Sequence, residues 1–66
     1  MAVAKTIEII STSNTSFEDA VRQGIAKASE TVDGIQGAWV KDTEVGVSDN
    51  HVSEWRVRLK VTFVIK

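Results

Sequence analysis

The stretch Ser53-Glu54-Trp55-Arg56-Val57-Arg58-Leu59-Lys60-Val61-Thr62-Phe63-Val64-Ile65-Lys66 decides the fold. Ser53, Trp55, Val57, Leu59, Val61, Phe63 and Ile65 alternate with Glu54, Arg56, Arg58, Lys60, Thr62, Val64 and Lys66. A period of two puts successive side chains on opposite faces, so this is a β-strand with one apolar and one largely polar side. Extended from Val52 to Lys66 at about 3.3 Å per residue, it spans close to 50 Å. A compact globule of this chain length has a radius of gyration of about 11 Å and a diameter nearer 28 Å. The strand therefore either curls strongly around its own subunit or runs past it onto another, and both outcomes leave an edge or an apolar stripe for a neighbour.

Working back from that strand, Ser48-Asp49-Asn50-His51 reads as a four-residue hairpin turn. Ala38 to Val47 is a second strand rich in β-branched residues. Trp39, Val45 and Val47 share parity with Lys41 and Thr43, while Val40 shares parity with Asp42 and Glu44. A β-bulge or a strand with two useful faces accounts equally for that broken alternation. Further back, Phe17, Ala20, Val21, Gly24, Ile25, Ala28 and Val32 recur at three- and four-residue spacing, opposite Glu18, Arg22, Lys27 and Glu30. This predicts one amphipathic helix of about four turns. Ser16 is its expected N-cap, with Asp19 three residues on returning the reciprocal bond, and Glu18 and Asp19 sit at the positive end of the helix dipole. Gly24 on the apolar stripe points to a close approach to a sheet, and Gly34 is placed to end the helix in a left-handed cap. The chain opens with a strand over Val3 to Ile10, followed by a turn-forming run, Ser11-Thr12-Ser13-Asn14-Thr15-Ser16.

Composition narrows what such a chain can do. It has 66 residues, 26% charged and 42% hydrophobic, with 8 Lys/Arg against 9 Asp/Glu and neither Cys nor Pro. A single domain over residues 1–66 of this size buries only about 60% of its unfolded surface, so added stability is expected from disulfides, a metal or a partner chain. Without cysteine, disulfides and zinc-thiolate sites are excluded, which leaves oligomerisation as the leading expectation. The near-neutral charge provides no basic field for nucleic acid or anionic lipid, and no apolar run approaches the roughly 20 residues needed to cross a bilayer. The opening Met1-Ala2-Val3-Ala4-Lys5 has no apolar core of signal-peptide length, which predicts an intact cytoplasmic protein with neither nucleic-acid nor membrane partners.

The order strand, Ser/Thr-rich turn, capped helix, strand, strand resembles the dodecins. So do the segments Ser11-Thr12-Ser13 before Ser16-Phe17, Ala28-Ser29-Glu30-Thr31-Val32, and Trp55 through Phe63. The likeness runs from about Thr6 to Phe63. It implies an α+β, β-α-β-β fold in which a three-stranded antiparallel sheet wraps one helix. It also implies a hollow homo-dodecameric shell that sequesters or stores a flavin, riboflavin or FMN, between subunits. The family's flavin-stacking Trp position falls on Gly37, with Trp39 one strand period later, and its Gln position falls on Arg56. Some dodecin-like proteins lack the Trp and are calcium-associated, which makes a calcium-linked or ligand-free shell the alternative.

Several residues carry both a functional and a structural reading. Trp39 beside Gly37 offers a ring with room for a flat ligand, or an ordinary interface aromatic. Trp55, on the apolar face with Val57 and Leu59, reads as core or subunit contact. Arg56, Arg58 and Lys60 form a cationic row that meets a flavin phosphate, or pairs across strands with Glu8, Asp42 or Glu44. Flavin contacts are thus expected from Gly37, Trp39, Arg56 and Arg58. Asp42, Glu44 and Asp49 are the candidate oxygen donors for calcium, through a symmetry axis on which each subunit contributes a carboxylate, since no EF-hand loop is present. His51, alone in the expected turn, reads as a loop residue. No nucleophile elbow, phosphate-binding glycine loop or acid–base constellation is visible, so catalysis is not expected.

Overall fold

A computed structural model describes residues 2–65; Met1 and the strand-terminal Lys66 lie outside the described residues. The elements run β1 (Val3–Ser13), α1 (Phe17–Ala28), β2 (Ile35–Ser48) and β3 (His51–Ile65). The sheet is antiparallel in the order β1-β3-β2, so the strongly alternating strand is the central one.

The two faces of β3 separate as its alternation requires. Val57, Leu59 and Val61 are fully buried and form the core with Ala20 of α1. Ile7 and Ile9 of β1, Phe17, Val21 and Ile25 of α1, and Ile35 of β2 close around them. Gly24 is where helix and sheet approach most closely. A Cβ built there would stand 3.0 Å from Ser11 Cβ and 3.3 Å from Leu59 Cδ1, so only glycine fits without displacing a neighbour.

Ser16 caps the helix, its hydroxyl accepting from the Asp19 backbone N–H at 3.0 Å. The reciprocal bond expected from Asp19 is replaced. Ser16 N–H donates to the buried Ser13 hydroxyl at 3.4 Å, while the Asp19 carboxylate accepts from Ser13 Oγ and Gln23 Nε2. This follows from the first strand continuing to Ser13 instead of stopping at Ile10. Ser11, Thr12 and Ser13 pair with Val57, Arg56 and Trp55, so their turn propensity yields to the ladder of hydrogen bonds that β3 offers.

The helix is shorter than its apolar spacing predicts. It ends at Ala28 with Ser29 as C-cap in the right-handed region, and Val32 N–H closes a further turn onto the Ala28 carbonyl. Gly34 consequently caps nothing. Its φ of 77° turns the chain into β2, where its carbonyl accepts from Val64 N–H at 3.1 Å. β2 then starts at Ile35, three residues before the expected Ala38. Its register against β3 shifts at Ile35/Gly37, Val40/Asp42 and Gly46/Val47, so bulges explain the broken alternation.

The hairpin is also tighter than expected. Ser48 and His51 are paired, leaving only Asp49 and Asn50 in the turn, with φ of 51° and 64°. Positive φ at both central positions is the type I′ geometry, whose twist matches that of the strands, and Asp and Asn tolerate it better than most residues.

The long strand runs past the helix. The molecule measures 51 × 19 × 14 Å with a radius of gyration of 13.5 Å, against the roughly 11 Å expected of a compact globule of this length. A 12-residue helix covers only about 18 Å and packs on β1 and β3. The helix-side face of β2, including Val40 opposite Leu59 and Val45 opposite Trp55, is left exposed. No helix among the described residues is long and apolar enough to cross a membrane.

Candidate functional site

Residues paired across an antiparallel sheet share a face. The pairs Gly37 with Thr62, Trp39 with Lys60, Asp42 with Arg58 and Glu44 with Arg56 therefore place all eight side-chain positions on the face of the sheet turned away from α1. From β1 the same face receives Thr6 opposite Thr62, Glu8 opposite Lys60, Ile10 opposite Arg58 and Thr12 opposite Arg56. Gly37, Trp39, Arg56 and Arg58, the residues expected to contact a flavin, thus lie on one surface.

Trp39 dominates that surface, with 65% of its area exposed. A Cβ built at Gly37 would meet no atom within 4 Å, so the space beside the ring is open. Lys60 Nζ lies 5.4 Å from the ring centroid, within cation–π range. The arrangement can take a flat aromatic ligand on the indole, with a cation at hand.

The two arginines are committed elsewhere. Arg56 Nη1 donates to Glu44 Oε1 at 2.7 Å and Nη2 to Glu54 Oε2 at 2.6 Å. Arg58 Nε lies 3.3 Å from Asp42 Oδ1, and its Nη2 is 3.8 Å from Glu44 Oε1. The contacts with Glu44 and Asp42 are cross-strand pairings of the kind the alternative reading expects, while the Glu54 contact lies within β3 itself. The hydrogen bond from Arg56, together with its charge, holds the Glu44 carboxyl below the usual carboxylate range, and the Glu44 bond in turn holds the guanidinium proton more firmly. Glu8 pairs with Lys41 Nζ at 3.5 Å instead of with the row, reaching across β3 to the bulged residue of β2.

For calcium, Asp42 and Glu44 stand on the same face, both against arginine, while Asp49 sits in the hairpin turn. Among the described residues no group of three or more His, Asp or Glu side chains comes together as a metal site. A single chain therefore supplies too few free oxygens for the six to eight that calcium takes. His51 is exposed and pairs through its backbone with Ser48. Trp55 is half-buried between Ser13 and Val45 on the helix side of the sheet.

Sequence reasoning places Lys60 in the cationic row but not beside Trp39. Their contact depends on the register between β2 and β3, which the bulges set. The nearest local signal is that both residues belong to neighbouring strands of a hairpin.

Comparison with known proteins agrees on one family. The family model described as Dodecin matches residues 3–66. Calcium dodecin of Mycobacterium tuberculosis is 35% identical over 66 residues, covering the whole of this chain and 93% of that protein. The structure of dodecin from Streptomyces davaonensis superimposes with a TM-score of 0.95 at 26% identity, over 98% of this chain and 96% of that one. The crystal structure of the Mycobacterium tuberculosis calcium dodecin, described as a calcium-chelating antigen with a novel calcium-binding site, gives 0.85 at 34% identity, over 97% and 91%.

Proposed function

The chain belongs to the dodecin family, and from that premise we propose that it is a self-associating, non-catalytic protein that binds and stores a flavin between subunits. The observation that carries the reading is the exposed Trp39 ring next to the open space at Gly37. Stacking a ring system on an aromatic side chain is worth roughly 1–3 kcal/mol, and Trp39 is the most exposed of the large hydrophobic residues of the sheet, at 65%. Self-association follows from the same economy of size. Val45, Val47 and Val52 lie exposed in the hairpin, and the helix leaves the facing side of β2 uncovered. A neighbouring subunit closing over them would bury apolar surface and shield a bound ring from water. The full reading is a homo-dodecameric shell acting within the cytoplasm. Arg56 and Arg58 shape the site through their carboxylate partners, and Trp39 is the principal contact.

Titrating riboflavin and FMN into the purified protein tests this. Indole stacking is expected to quench the flavin emission, with a ratio of ligand to subunit readable from the end point. Undiminished emission at saturating protein overturns it. Native mass spectrometry is expected to report an oligomer carrying flavin mass, and a monomer would remove the inter-subunit site.

A second reading is favoured by the 35% identity to calcium dodecin. Asp42, Glu44 and Asp49 would then contribute to a calcium site completed by other subunits, with Arg56 and Arg58 giving up part of their pairing. This version expects a colourless protein whose melting temperature rises with calcium, by about 2.7 kcal/mol of added stability at a hundredfold excess over Kd. Indifference to both calcium and chelator rejects it.

A further inference from the structure

The β2–β3 hairpin extends beyond the rest of the sheet. Ser13 opposite Trp55 is the last pair that β1 makes, so residues 46–54 form a two-stranded ribbon with no third strand beside it. Such a ribbon is marginally stable in water by itself. This one nevertheless presents Val47 and Val52 to solvent close to its turn. Its direction is set at its base, where the register passes from Gly46 opposite Glu54 to Val47 opposite Val52 and leaves Ser53 as an extra residue. An extra residue of this kind bends and twists the strand that carries it.

The glycine at that bend is required for space. Gly34 is the glycine with a positive φ, so the backbone at Gly46 suits other residues. A Cβ built at Gly46, however, would stand 2.7 Å from Glu54 Cγ and 3.3 Å from Glu54 Cδ. With no side chain there, Glu54 lies against β2, and its Oε2 accepts from Arg56 Nη2 at 2.6 Å while Glu44 Oε1 accepts from Nη1 at 2.7 Å. Arg56 therefore bridges Glu44 of β2 and Glu54 of β3, one residue from where β1 ends opposite Trp55. A planar fork held at both arms has a fixed orientation, which the single ammonium of a lysine could not provide.

We propose that Gly46 and Glu54 are positioning residues for self-association: they lock Arg56 across the base of the hairpin, and this clamp aims Val47 and Val52 at a second copy of the chain. The inference rests on the self-association reading above and adds the residues that orient the contact. A second copy is the occupant because the apolar end of the hairpin continues the uncovered face of β2, Val40 and Val45, on which that reading stands.

The test compares the wild type with Gly46→Ala, Glu54→Ala and the double variant. Native mass spectrometry over a dilution series reads assembly, far-UV circular dichroism reads the fold of the chain, and the side-chain resonances of 15N-labelled arginine read the clamp. Each single variant is expected to raise the concentration at which the assembly half-dissociates by about tenfold, the worth of one hydrogen bond to a charged group, with the far-UV spectrum unchanged. The double variant is expected to do no more than Glu54→Ala, because an alanine at position 46 then meets no Glu54 Cγ. The two Nη signals of Arg56 are expected to be distinct in the wild type and merged in both single variants. Variants that assemble like an oligomeric wild type, single effects that add in the double variant, or unchanged Arg56 signals overturn the inference and leave self-association standing. Loss of the far-UV spectrum in either single variant makes the pair a folding requirement and overturns it as well. A monomeric wild type overturns the inference and the self-association reading together.

Discussion

Leu59 and Lys60 are adjacent in β3, yet they belong to different problems. Leu59 is fully buried beneath α1 with Val57 and Val61, and Lys60 lies on the opposite face against an exposed tryptophan. On the helix side the side chains are apolar and packed against Ala20 and Ile25, so the contacts are non-directional and fixed by shape. On the far side Arg56, Arg58 and Lys60 are charged, half-buried and set against their neighbours by register, so a shift of one residue would change every partner. One strand therefore holds the fold together with its odd residues and presents a surface for recognition with its even ones.

The largest expected way to break that contrast is on the packed face. Leu59→Ala removes a fully buried side chain from the centre of the core and is expected to cost about 2–5 kcal/mol, read as a lower urea midpoint with m unchanged. A loss below about 1 kcal/mol would mean that the helix does not close over β3 as described.

Trp39→Ala acts on the other face. It is expected to leave the melting temperature nearly unchanged and to weaken flavin binding by roughly 1–3 kcal/mol, about tenfold to more than a hundredfold. A matching loss of stability would instead make Trp39 a packing residue. Gly37→Trp sharpens the same point in the opposite direction. A Cβ there meets no atom within 4 Å, and the added ring is expected to supply a second stacking surface. Tighter flavin binding by about tenfold is expected from isothermal titration, and weaker binding would place the ligand on top of Gly37.

Smaller effects come from the hairpin and its charges. Asn50→Gly relieves a φ of 64° and is expected to raise stability by about 0.5 kcal/mol, within reach of a careful thermal melt. Acidification is expected to do least. The Glu44 carboxyl is held below its ordinary range by Arg56, so its contribution is fully present above the unfolded-state pKa and is lost as pH falls through the folded one. The pair is exposed, so this loss should be slight and should shrink further in high salt. Glu44→Gln is expected to flatten that acid limb, and an unchanged limb would assign it to other carboxylates.

The parts of the fold legible in the sequence are those governed by short-range periodicity. The two faces of β3, the apolar stripe of α1, the Ser16 cap and the close approach at Gly24 all follow from spacings of two to four residues. Gly34 and the Ser11-Thr12-Ser13 run depart from their local propensities because β3 outweighs them, drawing Ser11 to Ser13 into the ladder and bonding to the Gly34 carbonyl. The Asp49-Asn50 turn was within reach, since two adjacent residues tolerant of positive φ between β-branched segments are a tight-hairpin signal. In the candidate site, the residue types were readable and their partners were not. Parity alone puts Asp42 and Trp39 on opposite faces of β2, and the extra residue at Lys41 brings them onto the same one.

The order of the elements, the buried face of β3, and the lack of cysteine that throws stability onto packing and partners are all written in the residues alone. These depend on the geometry of a strand or a helix turn, which each segment carries locally. That the central strand runs past its helix, that Arg56 and Arg58 are occupied, and that Lys60 rests against Trp39 emerge with the assembled sheet. Those outcomes turn on the register between strands, and register is set by bulges and long-range hydrogen bonds that no single segment encodes.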